Sequence, residues 1–175
     1  MKTKEQESVV IRLAGDSGDG MQLIGTELAN TSALFGNDIG TLPDFPAEIR
    51  APRGTVAGVS GYQLHIGSFD IHTPGDEADC LVAMNPAALK SNIKYLKPNA
   101  ALVLDIYSFN DKNLKLAGYD SNPMEDGSLH AYQLFPIDIT QNTRKILDEL
   151  DMGMKDKDRC KNFYALGIVS WLFER

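Results

Sequence analysis

The segment that most limits how this chain folds is Ser8–Phe35. SVVIRLAG is β-branched and apolar and ends at Gly15, the pattern of a strand. DSGDG follows. MQLIGTELANTSALF then spaces Leu23, Ile24, Leu28, Ala29, Leu34 and Phe35 at helical intervals. This predicts a helix over Met21–Phe35 that stops at Gly36. A strand, a glycine loop and a helix in that order commit the chain to an α/β architecture.

The rest of the sequence extends this plan with one interruption. Buried-type strands are expected near 9–14, 79–84, 101–106 and 132–138, forming a mostly parallel sheet. Pro136 implies that the last of them lies at an edge or ends early. Asn85-Pro86 reads as a cap and first residue for a helix over PAALKSNIKYL, and Thr140 or Thr143 as the cap of TQNTRKILDELDMG. MKDKDRCK reads as a solvated charged run, and NFYALGIVSWLFER as a closing apolar helix. Between Asn37 and Ser68, however, three prolines and five glycines break any helical period. TVAGVSGYQLHIG alternates weakly, as an antiparallel element near 55–67 would. The expected fold is one α/β domain over 1–175, with a central mostly parallel sheet, flanking helices, an antiparallel element and a flexible N-terminus over 1–8.

Charge and composition narrow the function. The chain carries a net charge of −7, which disfavours nucleic acid as a partner. No apolar stretch approaches the roughly 20 residues of a membrane span, and MKTKEQES lacks the apolar core of a signal peptide. Cys80 and Cys160 form no CxxC pair, and a [4Fe–4S] cluster needs four thiolates. The expectation is a cytoplasmic protein with reduced thiols, Cys80 lying in the core. His65, His72 and His130 are dispersed and show no metal-ligand spacing.

The glycine loop is the main candidate site. A glycine turn that opens a helix aims backbone N–H groups and a partial positive charge outward, at the sheet edge where ligands of open α/β folds bind. Gly15, Gly18 and Gly20 give G-x-x-G-x-G, the reverse of the dinucleotide fingerprint, and no Lys-Ser or Lys-Thr follows. Asp38 stands at the right offset for a ribose contact but begins the next extended run, which is the wrong end. Asp16 and Asp19 also oppose a phosphate unless a cation intervenes. Two readings of the loop therefore stay open: an anion site, or a tight turn with Asp16 or Asp19 as helix cap. Arg50 and Arg53, on the Pro/Gly-braced FPAEIRAPRG, are candidate clamps for a phosphate or carboxylate. Ser17 lacks the glycine two residues later that a nucleophile elbow requires. No nucleophile, base and oxyanion hole come together, so the residues point to binding or assembly rather than to chemistry.

Three segments in order carry a family resemblance: VVIRLAGDSGDGMQLIG, FPAEIRAPRGTVAGVSGYQLHIG and DCLVAMNPAALKSNIKYLKPNAALVLD. Together they resemble the gamma domain of the 2-oxoacid:ferredoxin (or flavodoxin) oxidoreductases. The nearest type places this domain at the N-terminus of the alpha subunit of a 2-oxoglutarate enzyme. The resemblance implies a three-layer fold with a second antiparallel sheet. It also implies a role in oxidative decarboxylation of a 2-oxoacid to an acyl-coenzyme A, with ferredoxin as electron acceptor. Thiamine diphosphate and iron–sulfur clusters would lie on partner domains or subunits. This chain, inactive alone, would contribute to coenzyme A placement and assembly. By position, the residues facing coenzyme A would be Gly15, Asp16, Ser17, Gly18, Asp19, Gly20, Met21 and Gln22, with Arg50 and Arg53 in support. The helix after the loop holds no Lys or Arg, where some relatives carry a basic residue. The positive charge must then come from Arg50, Arg53 or a partner chain. The competing readings are a free-standing Rossmann-like nucleotide-binding protein and a purely structural assembly domain.

Overall fold

In the computed structural model, residues 5–48 and 51–174 are described. The chain runs β1 (Ser8–Asp16), α1 (Met21–Leu34), β2 (Asp38–Asp44), β3 (Val59–Gly67), β4 (Ala78–Ala83), α2 (Pro86–Asn92), β5 (Leu96–Asp105), α3 (Asp111–Leu116), β6 (Gln133–Ile137), α4 (Ile139–Ile146), α5 (Met154–Arg159) and α6 (Lys161–Leu172). Six strands form one sheet in the order β2-β3-β1-β4-β5-β6. β1, β4, β5 and β6 pair in parallel, and β3 pairs antiparallel with both β1 and β2. Five strands therefore point one way and β3 alone is reversed.

This corrects one expectation from the resemblance. The irregular segment does not build a second sheet among the described residues; β2 and β3 extend the first. Full pairing of β3 from Val59 to Gly67 explains why: it satisfies the edge of β1 that would otherwise be exposed. β6 is the other edge strand, which suits Pro136. Ser8 opens β1, and the Glu7 carbonyl accepts from Ser68 N at 3.0 Å. Residues 1–4 lie outside the described residues.

Alternation along the strands sorts side chains into two apolar layers. Ile11, Leu13, Val82, Met84 and Val103 meet Ile24 and Leu28 of α1 and Ala165 and Val169 of α6. Val10, Ala14, Leu81, Ala83 and Leu102 face Ala88 and Leu89 of α2 and Leu114 of α3. Cys80 is fully buried as expected, and desolvation pushes its thiol up to about 12. α1 ends as predicted, with Gly36 at φ 81, but its buried face differs. Leu34 and Phe35 stay 88% and 69% exposed.

One cap assignment also changes. Asp138, not Thr140 or Thr143, caps α4 by accepting from Gln141 N, while Asn85 caps α2 as expected. MKDKDRCK is not uniformly solvated: Lys157 is buried and meets Asp148 at 3.3 Å.

Candidate functional site

The site lies where β1, β4 and β5 end. A cavity of about 180 Å³ is lined by Asp16, Asp19, Arg53, Gly54, Met84, Asn85, Ser108, Asn113 and Lys161. This is the carboxyl edge of the parallel strands, the ligand-binding edge of open α/β sheets.

The turn after β1 explains its two aspartates. Asp19 N donates to the Asp16 carbonyl at 2.8 Å, and Asp16 N donates back to Asp19 Oδ2 at 3.0 Å. Asp19 Oδ1 meets Lys161 Nζ at 3.1 Å, with both side chains largely buried. Asp16 Oδ1 accepts from Gly54 N at 3.0 Å. Burial raises the Asp16 carboxyl above its usual range, and the neighbouring Asp19 charge adds to this. The Gly54 hydrogen bond and the Arg53 charge oppose the shift.

Neither aspartate caps the helix, contrary to the expectation. Gly20 occupies the cap position at φ 76, and no side chain bonds the first-turn amides of α1. A left-handed φ is open to glycine at little cost, and a Cβ here would run into Asn162 of α6. The end of α1 thus keeps its free N–H groups and partial positive charge.

Of the positions singled out in the sequence, the structure gathers most but not all. Ser17 and Gly18 form the exposed tip of the turn, whereas Gly15 is buried beneath it. Arg53 lies over Gly18, where an added Cβ would stand 2.6 Å from a guanidinium nitrogen. Met21 points away, 1% exposed in the core among Ile24, Leu13 and Tyr62. Gln22 also turns from the cavity and donates to the Gly61 carbonyl at 2.6 Å. Arg50 lies outside the described residues. Asp38 accepts from Ile71 N and pairs in register with Gly67, which stands opposite Ser8. It therefore sits at the amino end of β1, across the sheet from the glycine turn, and cannot serve a nucleotide there.

Lys161 is the residue that sequence reasoning missed. It falls within a charged run, and nothing in the spacing shows that α6 begins against the glycine turn. A lysine directly before a long apolar helix is the one usable signal. Asp105, fully buried at the end of β5, accepts from Thr140 N at 3.2 Å and from Thr140 Oγ1 at 2.6 Å. Burial raises its carboxyl, and the Lys161 charge works against that rise.

At the turn Arg53 and Lys161 stand against Asp16 and Asp19, with Asp105 also beside Lys161, and the free end of α1 adds partial positive charge where Arg53 lies. The arrangement can hold an anion. Among the described residues no group of three or more His, Cys, Asp or Glu is placed to hold a metal, and no helix is long and apolar enough to cross a membrane.

Known proteins are similar to this chain in sequence and in fold. The chain is 48% identical over 169 residues to the 2-oxoglutarate oxidoreductase subunit KorA of Mycobacterium tuberculosis, covering 97% of this chain and 26% of that protein. It therefore spans about a quarter of the length of the curated relative it matches. The 2-oxoglutarate:ferredoxin oxidoreductase of Magnetococcus marinus, solved with 2-oxoglutarate, coenzyme A and succinyl-CoA bound, superimposes with a TM-score of 0.68 at 27% identity, over 95% of this chain and 24% of that one. The gamma subunit of a keto/oxoacid ferredoxin oxidoreductase from Geobacter sulfurreducens shares the fold, with a TM-score of 0.64 at 17% identity over 94% of this chain and 75% of that one. A model of the pyruvate ferredoxin/flavodoxin oxidoreductase family matches residues 10–174, and it is to this family that the chain belongs.

Proposed function

We propose that this chain is the gamma-type domain of a 2-oxoacid:ferredoxin oxidoreductase, with 2-oxoglutarate as the favoured substrate, and that its glycine turn holds the diphosphate of coenzyme A. The observation that carries the proposal is Arg53, laid over Gly18 beside the uncapped end of α1. Arginine binds phosphate oxygens through paired N–H groups, and the helix end adds further donors. Lys161 supports the same reading by neutralising Asp19, which would otherwise repel the ligand. The donor set fits a phosphate group, and the cavity of about 180 Å³ has room for part of the cofactor rather than all of it. The relatives reinforce the assignment through the 2-oxoglutarate activity in their names and the coenzyme A in the Magnetococcus enzyme.

When bound, coenzyme A supplies the thiol that accepts the acyl group. Residues of this chain bind and orient it: Arg53 and the α1 amides face the diphosphate, and the turn of Asp16 to Gly20 fixes their spacing. Thiamine diphosphate, the iron–sulfur clusters and the docking of ferredoxin belong in this reading to partner domains or subunits of a cytoplasmic complex. Residues 1–175 act as one domain within it, without turnover of their own.

Calorimetry with coenzyme A, NAD and FMN tests the binding, and an assay with 2-oxoglutarate and a ferredoxin substitute tests the rest. The expected result is binding of coenzyme A alone, with turnover only when the thiamine-bearing partner is present. Binding of NAD or FMN with none of coenzyme A would overturn the reading, as would turnover by this chain alone.

A further inference from the structure

The glycine turn does not hold Arg53 in place by itself. Arg53 sits on a long excursion between the last pair of the β2–β3 ladder, Asp44 with Gly61. Within it Gly54 N, next to Arg53, donates to Asp16 Oδ1 at 3.0 Å; a loop of this length still gains many conformations once its roots part, so what ties them together also governs where Arg53 lies. One side-chain amide does so. Gln22 Nε2 lies 2.6 Å from the Gly61 carbonyl, 3.2 Å from the Asp44 carbonyl and 3.2 Å from Ser60 Oγ. Its two protons can serve both roots at once.

The incoming root has a second tether. Asp44 Oδ2 accepts from Arg12 at 2.6 Å. Arg12 is itself 5% exposed, and its guanidinium stacks over Tyr95 at 4.6 Å and bonds Gln63 at 3.0 Å. A buried arginine seated in this way cannot follow a moving loop, so it fixes Asp44 to the sheet.

We propose that Gln22 is a positioning residue: it ties Asp44 to Gly61, the roots of the segment that carries Arg53, and so sets Arg53 over Gly18, without touching the ligand. This rests on the reading that Arg53 contacts the coenzyme A diphosphate. It assigns the last residue of GDSGDGMQ to the protein's own backbone rather than to the cofactor. α1 thus presents an anion-binding end and, one residue further on, the clasp that holds the cation beside it.

The test combines amide hydrogen exchange with coenzyme A titration of the wild type, Gln22→Met, Arg53→Ala and the double variant. Methionine keeps the length of the side chain and removes its donors. Gln22→Met should speed exchange at residues 51–58, including the Gly54 amide, while β4 to β6 stay protected. Its coenzyme A affinity should fall about tenfold, the scale of one charged hydrogen bond. The double variant should bind no more weakly than Arg53→Ala, because the clasp acts only through Arg53. Gln22→Lys, which keeps N–H donors at similar reach, should restore the protection. Unchanged exchange in Gln22→Met overturns the proposal, and so does a double variant that loses both factors in full, since that marks a direct contact. If exchange rises throughout the sheet and Gln22→Lys fails to restore it, Gln22 is a general stabiliser and the proposal also fails. Should the wild type not bind coenzyme A, the function proposed above falls, and exchange at Gly54 alone decides the positioning role.

Discussion

The two ends of the sheet offer two hollows of opposite character. At the carboxyl end the cavity is small, about 180 Å³, and is lined by Asp16, Asp19, Arg53 and Lys161. At the amino end a groove of about 1020 Å³ runs past Val9, Pro98, Phe135, Trp171 and Phe173. In the larger one Lys97 and Asp79 are already paired, at 2.7 Å, and Asp79 also accepts from Val10 N. In the smaller one Arg53 takes no part in the ion pairs of the described residues. Size and chemistry separate here. Convergent polar groups with spare capacity mark a ligand site better than volume does.

The strongest way to break this contrast is to remove the cation shared by the turn and α6. Lys161→Met leaves Asp19 buried without its partner. Losing one member of a largely buried pair costs about 3 kcal/mol. The variant should melt several degrees lower and should also bind coenzyme A more weakly, because an uncompensated Asp19 faces the phosphate. Differential scanning calorimetry checks the first outcome and titration the second. An unchanged melting temperature would mean that Asp19 does not depend on Lys161.

The roles of Lys161 and Arg53 show what the sequence does and does not reveal. Local patterns were legible: β1, the glycine turn, the Asn85 cap, the edge position of β6 and the burial of Cys80 all follow from neighbours in the chain. Long-range pairings were not. β2 was hidden because Gly40 and Pro43 dilute its strand signal, and its pairing with β3 depends on residues 17 to 29 positions away, from Asp44 with Gly61 to Asp38 with Gly67. The Asp19–Lys161 pair joins opposite ends of the chain, and no periodicity encodes such a contact. Gln22 was assigned to the ligand because the motif containing it is contiguous, yet a helix turns successive side chains by roughly 100°. That rotation carries Met21 into the core and Gln22 toward β3.

A smaller effect sharpens the electrostatic side of the contrast. Burial and Asp19 raise the Asp16 carboxyl in the folded state above its ordinary 3.8. The folded protein therefore binds that proton more tightly than the unfolded chain does, so ionising Asp16 costs stability. The penalty is absent below the unfolded value near 3.8 and complete above the raised folded value. Asp16→Asn keeps an oxygen to accept from Gly54 N and removes the charge. It should be more stable than the wild type at pH 7, with the advantage shrinking as pH falls through the raised folded value and gone below about 3.8. Thermal melts at the two pH values measure this. A variant less stable at pH 7 would show that the Arg53 and Gly54 interactions outweigh burial.

The smallest expected effect probes the amino-end groove. Trp171 is 67% exposed, so most of its ring contributes nothing to the core. Trp171→Ala should change stability by about 0.5 kcal/mol or less, as surface truncations usually do. Coenzyme A affinity should not move, because Trp171 lies at the far end of α6 from Lys161. With a rise of about 1.5 Å per residue, the ten steps from one to the other span roughly 15 Å. A rigid helix of that length could still carry a shift from one end to the other. If Trp171→Ala weakens coenzyme A binding at constant melting temperature, α6 transmits between the two hollows and they cannot be treated as separate. If affinity holds while Lys161→Met loses it, the ligand chemistry is confined to the carboxyl edge, and the groove is a matter of surface shape alone.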